Sequence, residues 1–274
     1  MFKKKLIASS KESNSFPILI KDLFYSSLSY NAENEILYKG RLKYSYVNLK
    51  KRIQKLSSVL REAGVRKGDS VAILDWNSHR YLECLFAVPM MGANLHVVNL
   101  KLSPEEMVYS LNHAQDKVLL IHVDFITQIE KVASRLENVH EIIVLGDGKA
   151  VPENKLDIFG AYEVLLEGGE EDFIYPDFEE RNLALSCFAH NIPGKLKAHQ
   201  FSHQQIVSEV LKNVFSKSTD FSGSYLPLSP LYEPWVSSFP YIATLKGMKQ
   251  VFPGKTDAEF CLELFLKEKI RFSH

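Results

Sequence analysis

The sequence has little that would commit it to a special environment. Its 274 residues include three cysteines. Cys84, Cys187 and Cys261 are too scattered for a disulfide framework or a metal-binding pattern. That scarcity points to a reducing compartment, so a cytoplasmic location is expected. Neither sign of charge dominates, because 33 lysines and arginines face 33 aspartates and glutamates. A non-specific nucleic-acid binder needs surplus positive charge to displace counterions, and the balance argues against that class. Lys3-Lys4-Lys5 is a local basic cluster, read as a solvated tail or as a lipid or phosphate contact. No apolar run near the N-terminus has signal-peptide length, and no segment approaches a membrane span. None of the nine histidines falls in an HExxH pattern. His190, His199 and His203 lack the cysteine or carboxylate company of a zinc site.

What is present is an ordinary globular composition, 46% hydrophobic and 24% charged, in a chain long enough for one large domain or two intimate subdomains. A hairpin is expected from Ile36-Leu37-Tyr38, the turn Lys39-Gly40 and Leu42-Lys43-Tyr44. Leu49, Ile53, Leu56 and Leu60 then recur at helical spacing and form one apolar face, with Gly64 as the stop. The short apolar runs 71–74, 95–98, 118–121 and 142–145 predict buried parallel strands. Helices are expected between them over 78–91, 103–112 and 125–136. Ser103-Pro104-Glu105-Glu106 is a capping box with proline at the first helical position. This alternation predicts an α/β fold of layered parallel sheets with flanking helices. Residues 146–180 read as a surface excursion around a short helix near 162–166. The expected organisation is therefore a first subdomain over 1–180 and the start of a second over 181–274. In the second, Ser202 to Gln205 is another capping box. Strands are expected near 225–227, 250–252 and 270–272, a helix over 235–245 delayed or kinked by Pro240, and a last helix capped at Thr256-Asp257.

Chemistry is most visible between Leu183 and His203, a strand–loop–helix unit of the kind that can present backbone N–H groups to a phosphate. The loop Ala189-His190-Asn191-Ile192-Pro193-Gly194-Lys195-Leu196-Lys197 has one glycine, preceded by a proline that offers no N–H. It reads either as an ordinary surface turn or as a weak phosphate nest. Glu233, in Pro230-Leu231-Tyr232-Glu233-Pro234-Trp235, is a carboxylate among aromatic and proline residues. It reads as a solvent-facing loop acid or as an acid with a raised pKa. Asp75 follows strand 71–74, at the edge where open parallel sheets meet ligands, and reads equally as a helix cap or turn former.

Several motifs in consistent order carry a family resemblance across essentially the whole chain. Leu82 to Ala93, Asn99 to Glu106, Leu111-Asn112-His113-Ala114 and Pro240 to Gly247 resemble adenylate-forming enzymes, specifically medium- and long-chain fatty-acid–CoA ligases. The resemblance implies the N-terminal domain of the acyl-CoA synthetase type, here incomplete. It also implies activation of a carboxylic acid with ATP and Mg²⁺ and transfer of the acyl group to coenzyme A. The family's phosphate loop reads Ser/Thr-Ser-Gly-Thr-Thr-Gly-x-Pro-Lys-Gly, followed after a short strand by Ser/Thr-His. Counted back from Ser202-His203, its hydroxyl pair falls on Ala189 and His190, its first glycine on Asn191 and its threonines on Ile192 and Pro193. Gly194 and Lys197 match, whereas Leu196 and Ala198 replace the proline and the last glycine. The family's Pro-(Leu/Met)-(Phe/Tyr)-His loop becomes Pro230-Leu231-Tyr232-Glu233, with an acid in place of the histidine.

The resemblance thus implies a vestigial phosphate loop at Gly194 and Lys197, an altered loop at Tyr232 and Glu233, and no catalytic or metal residue that can be named. Loss of several preorganised donors should be prohibitive for the chemistry. The family's downstream adenine- and ribose-binding motifs and its mobile C-terminal domain are not found in the chain. The expectation is a scaffold or regulatory partner, inactive alone; the alternative is a ligase component completed by a missing fragment. A homo-oligomer or a complementary protein fragment is expected to cover exposed sheet edge and apolar surface, and a fatty acid is a possible ligand.

Overall fold

The computed structural model describes residues 17–148, 151–192, 195–216, 219–236, 238–255 and 257–274. Lys3-Lys4-Lys5, Pro193, Gly194 and Thr256 lie outside the described residues.

Two sheets carry the chain. The larger has seven strands in the order β7-β6-β5-β3-β4-β8-β9. These are β3 (Ser70–Leu74), β4 (Asn94–Val97), β5 (Asp116–His122), β6 (Glu141–Leu145), β7 (Ile158–Ala161), β8 (Leu183–Ile192) and β9 (Lys195–Ser202). All neighbours run parallel except β8 and β9, which form an antiparallel pair. The smaller sheet has the order β12-β10-β11-β1-β2. It comprises β1 (Glu35–Tyr38), β2 (Leu42–Ser45), β10 (Ser224–Leu226), β11 (Lys249–Phe252) and β12 (Ile270–Ser273). The expected hairpin is β1–β2, but β1 also pairs in parallel with β11, Leu37 opposite Val251. Both sheets therefore draw strands from either side of residue 180.

Strand alternation shows how the layers are built. Val71, Ile73, Val118 and Leu120 face one core, shared with Ile36, Tyr38 and Phe252 of the smaller sheet. Helices α1 (Ile20–Asn31), α2 (Tyr46–Glu62), α3 (His79–Met90) and α8 (Phe239–Leu245) fill that space. Ala72, Leu74, Leu119 and Ile121 face the opposite side, under α4 (Pro104–Ala114) and α5 (Ile126–Glu130). On the outer side of the smaller sheet, Leu37, Leu226, Val251 and Ile270 pack with Leu264 of α9 (Ala258–Lys267). The expected layered α/β architecture is the one observed.

Local signals explain most boundaries. Ser103 accepts from the Glu106 amide and Glu106 accepts from the Ser103 amide. Ser202 and Gln205 do the same at the start of α7 (His203–Phe215). Pro240 sits in the first turn of α8, where its missing N–H costs little. Two expectations need correction. The helix expected over 125–136 is only the five-residue α5, with 3₁₀ turns at Val123–Phe125 and Ala133–Arg135. Its β-branched Ile126, Thr127, Ile129 and Val132 favour helix weakly, and no side chain caps its start. The stretch 146–180 is not simply a surface excursion. It supplies edge strand β7 and helix α6 (Tyr162–Gly168), and it buries Tyr162, Leu166, Tyr175 and Phe178. Among the described residues, no helix is long and apolar enough to cross a membrane.

Candidate functional site

The described residues of the weak phosphate loop, 189–192 and 195–197, form the distal ends of the antiparallel strands β8 and β9. β8 first runs beside β4, with Val97 opposite Cys187, and then continues beyond it with only β9 as a partner. Ala189 lies opposite Lys197, and His190 opposite Leu196. The strand–loop–helix reading is corrected to the extent that the strand the resemblance implies before Ser202-His203 is the whole eight-residue β9, so the N-terminus of α7 lies at the opposite end of β9 from Lys195. Lys197 is exposed. His190 makes a 2.7 Å contact through Nε2 with Glu106 Oε1. Phe188, two residues earlier, stands edge-on to the rings of His96, Tyr109 and His113.

The loop carrying Tyr232 and Glu233 follows β10 and is held by a residue the sequence reading did not single out. Asn77, just beyond β3, donates through Nδ2 to the carbonyls of Pro227 and Ser229 and accepts at Oδ1 from the Leu231 amide. Its backbone carbonyl accepts from the Gly254 amide at 2.8 Å. Glu233 closes a turn, its amide donating to Pro230 O and its carbonyl accepting from the Val236 amide. Tyr232 is buried, and burial, aided by the Glu233 charge, pushes its hydroxyl up to about 12. Burial first, and the same carboxylate second, push the Cys187 thiol up to about 12. Beside this loop, Phe201, Gln204, Ser208, Lys212 and Trp235 line a groove of about 630 Å³.

Asp75 is a turn former. It is buried, accepts from the Trp76 amide and from Ser78 Oγ, and lies 3.6 Å from Arg80 Nε. His203 is also buried, with Nδ1 accepting from the Ile20 amide, and it contributes to no cluster of metal ligands. Among the described residues no group of three or more potential ligands is assembled.

Two ionic networks escaped sequence reasoning. Asp147, after β6, receives Tyr38 Oη at 2.8 Å, Arg80 at 2.7 Å and Lys39 Nζ. This ties the β1–β2 turn to the edge of the larger sheet, beside a cleft of about 400 Å³. The second network centres on Glu83, fully buried in α3. It binds Arg52 of α2 at 2.6 Å, Tyr44 at 2.6 Å and Tyr162. Burial alone would raise the Glu83 carboxyl, but the Arg52 charge and hydrogen bonds hold it below the usual range. A single acid within the otherwise apolar run from Tyr81 to Met90 was the available signal.

Comparison with known proteins accords with this architecture. The family profile described as AMP-binding enzyme matches residues 26–274. A long-chain-fatty-acid–CoA ligase of Thermus thermophilus is 38% identical over 232 residues, covering 84% of this chain and 41% of the relative. A medium-chain-fatty-acid–CoA ligase of Ectopseudomonas oleovorans is 29% identical over 205 residues, covering 74% and 38%. The chain thus spans well under half the length of either relative. Among solved structures, a long-chain-fatty-acid–CoA ligase from Archaeoglobus fulgidus superposes with a TM-score of 0.81 at 18% identity, covering 96% of this chain and 54% of that one. A Mycobacterium tuberculosis fatty acyl CoA synthetase gives 0.80 at 15%, covering 93% and 48%. The structural likenesses establish the fold, and with the profile match and the Thermus relative they lead to one assignment: the chain belongs to the AMP-binding enzyme family and is acyl-CoA-ligase-like.

Proposed function

We propose that this chain alone does not activate fatty acids with ATP and acts instead as a scaffold or regulatory partner in acyl-CoA-ligase-like chemistry. The observation that carries this reading is the side-chain chemistry of the β8–β9 hairpin. Where the family resemblance implies a hydroxyl pair, the chain has Ala189 and His190, and His190 is engaged by Glu106. Lys197 remains as a cation on β9, but one lysine without aligned hydroxyl donors is a poor cradle for a triphosphate. The residues present do not fit ATP and Mg²⁺, and no catalytic step is assigned through them. The acid at Glu233, where the resemblance implies a histidine, further disfavours an anionic ligand beside its own loop. The test is fatty-acid-dependent ATP–pyrophosphate exchange with Mg²⁺. No exchange above the protein-free background is expected, and clear exchange overturns the proposal.

A second reading, a ligase component completed by another polypeptide, is favoured by the surface of α9. Leu262 and Leu266 are 60% and 70% exposed there, beside Phe265 and Leu228. That apolar face suits self-association or a complementary fragment. The groove beside Trp235 is large enough for part of a fatty acid, the ligand class this reading requires. The three cysteines are all free and buried, consistent with a cytoplasmic setting.

A further inference from the structure

One face of α4 holds the hairpin. Glu106, Tyr109 and His113 lie three and four residues apart, which brings them to the same side of the helix. Tyr109 and His113 place their rings 6.3 and 5.6 Å from Phe188. His96 of β4 approaches the same ring at 5.1 Å. Two residues along β8, on the same strand face as Phe188, His190 reaches Glu106. Glu106 is then fully used: Oε2 accepts from the Ser103 amide at 2.9 Å and from Ser103 Oγ at 2.8 Å, while Oε1 meets His190. One carboxylate caps a helix and holds the hairpin.

We propose that the His190–Glu106 contact is a pH-sensitive latch docking the β8–β9 hairpin onto α4. Histidine is the side chain that changes charge between about pH 5 and 8. With His190 protonated, the contact is an ion pair with a charge-assisted hydrogen bond; with His190 neutral, the ionic part is lost. The Glu106 carboxyl is held below its usual range by the Ser103 backbone amide first, then by Ser103 Oγ and His190. The acidic limit of the latch therefore lies at the low end of the carboxylate range. The latch is strongest with His190 charged and Glu106 ionised, and it weakens once the imidazole is neutral.

The other groups around it are accounted for by element. On α4, Glu105 is paired with Arg135, and Tyr109 and His113 contact Phe188. On β4, His96 is bonded to Asp116 of β5. On β9, Lys197 lies opposite Ala189, and His199 opposite Cys187. The latch requires no nucleotide, so its failure and the failure of the proposed function are separate results.

The test is hydrogen–deuterium exchange of the stem amides at 188–190 and 196–199, expressed as protection factors at pH 5.5 and pH 8. The wild-type protein should lose about two- to fivefold protection at the higher pH, the scale of a half-exposed ion pair. Glu106→Gln keeps the capping box, since glutamine serves at that position, and should abolish the step. His190→Gln, a second variant that leaves α4 untouched, should also be pH-independent. His113→Gln should retain the step. A wild-type protein without the step, a step surviving in either Glu106→Gln or His190→Gln, or one lost in His113→Gln overturns the latch.

Discussion

The side chain of Asn77 accepts a hydrogen bond from the Leu231 amide at 3.0 Å while its own amide donates to the two carbonyls at Pro227 and Ser229. One buried residue at the edge of the larger sheet thus fixes three backbone groups in the loop leading to Tyr232 and Glu233. Asn77→Ala removes all three bonds and leaves polar groups facing a non-polar methyl. The expected loss is about 2–4 kcal/mol of unfolding free energy, because orphaned buried backbone groups cost more than an average hydrogen bond contributes. Urea denaturation checks this, and a loss below about 1 kcal/mol would show that the loop holds itself without Asn77.

The Glu83 network makes a second stability prediction. Its partners Arg52, Tyr44 and Tyr162 come from α2, β2 and α6, so the carboxylate joins three elements to α3. Glu83→Gln removes the charge but keeps the volume, leaving the Arg52 guanidinium with only the half-exposed Glu163. About 3 kcal/mol of destabilisation is expected, the scale for breaking one side of a buried pair. A neutral result in denaturant unfolding would mean that Glu163 alone satisfies Arg52.

These two anchors mark where sequence legibility ended. Strand alternation in β3 and β5, the apolar stripe of α2 and the capping boxes at Ser103 and Ser202 are written in neighbouring residues, so they could be read directly. The family loop was legible as a pattern of replacements. The partnership of His190 with Glu106 was not, because 84 residues separate them and nothing local selects one surface acid among many. Asn77 adjoins Asp75, which attracted notice, yet its partners are backbone groups about 150 residues away. β7 was missed because Ile158-Phe159-Gly160-Ala161 is short and contains a glycine. It is a strand because β6 offers it an edge.

Stability should fall on acidification because of buried histidine. His203 is buried, and the loss of water around its ring lowers its pKa to about 4. The His79 ring is pushed down chiefly by burial as well. A histidine whose folded pKa lies below its unfolded value of about 6.5 binds more protons when unfolded. Its contribution is therefore complete above that value and is lost as pH falls toward the folded pKa. For His203 alone the loss approaches about 2–3 kcal/mol by pH 4. Unfolding measured from pH 7 to 4, with NMR titration of the imidazole resonances, checks it. A His203 ring that titrates near 6.5 in the folded protein would remove the effect.

The Glu163 carboxyl adds a lower window. Burial would raise it, but hydrogen bonds to His79 and Arg52 and their charges outweigh that and bring it to about 2. Its contribution is complete above the unfolded carboxylate value of about 4.3 and is lost as pH falls toward 2. Nearly half of its side chain is exposed, so solvent screening limits the contribution to about 1 kcal/mol. Glu163→Gln should flatten stability between pH 4.5 and 2 while leaving the His203 part of the slope above it in place; the His79 part should steepen, because Glu163 is the partner that raises that ring. An unchanged acid limb would show that the carboxylate makes no net contribution.

The α9 surface distinguishes self-association from a solitary chain. Leu262 and Leu266 lie one helical turn apart and are largely exposed, while Leu264 between them is buried against the smaller sheet. Water-facing leucines in adjacent turns, with Phe265 and Leu228 nearby, form a patch that association would remove from solvent. Each leucine fully buried in an interface is worth about 1.5–3 kcal/mol before the costs of association. If α9 forms that interface, the wild-type protein should show a concentration-dependent rise in mass by light scattering. Leu262→Glu with Leu266→Glu should abolish the rise while leaving unfolding free energy nearly unchanged, because neither side chain belongs to the core. A wild-type monomer across a broad concentration range would exclude self-association through this face and leave a complementary polypeptide as the occupant to test by co-expression.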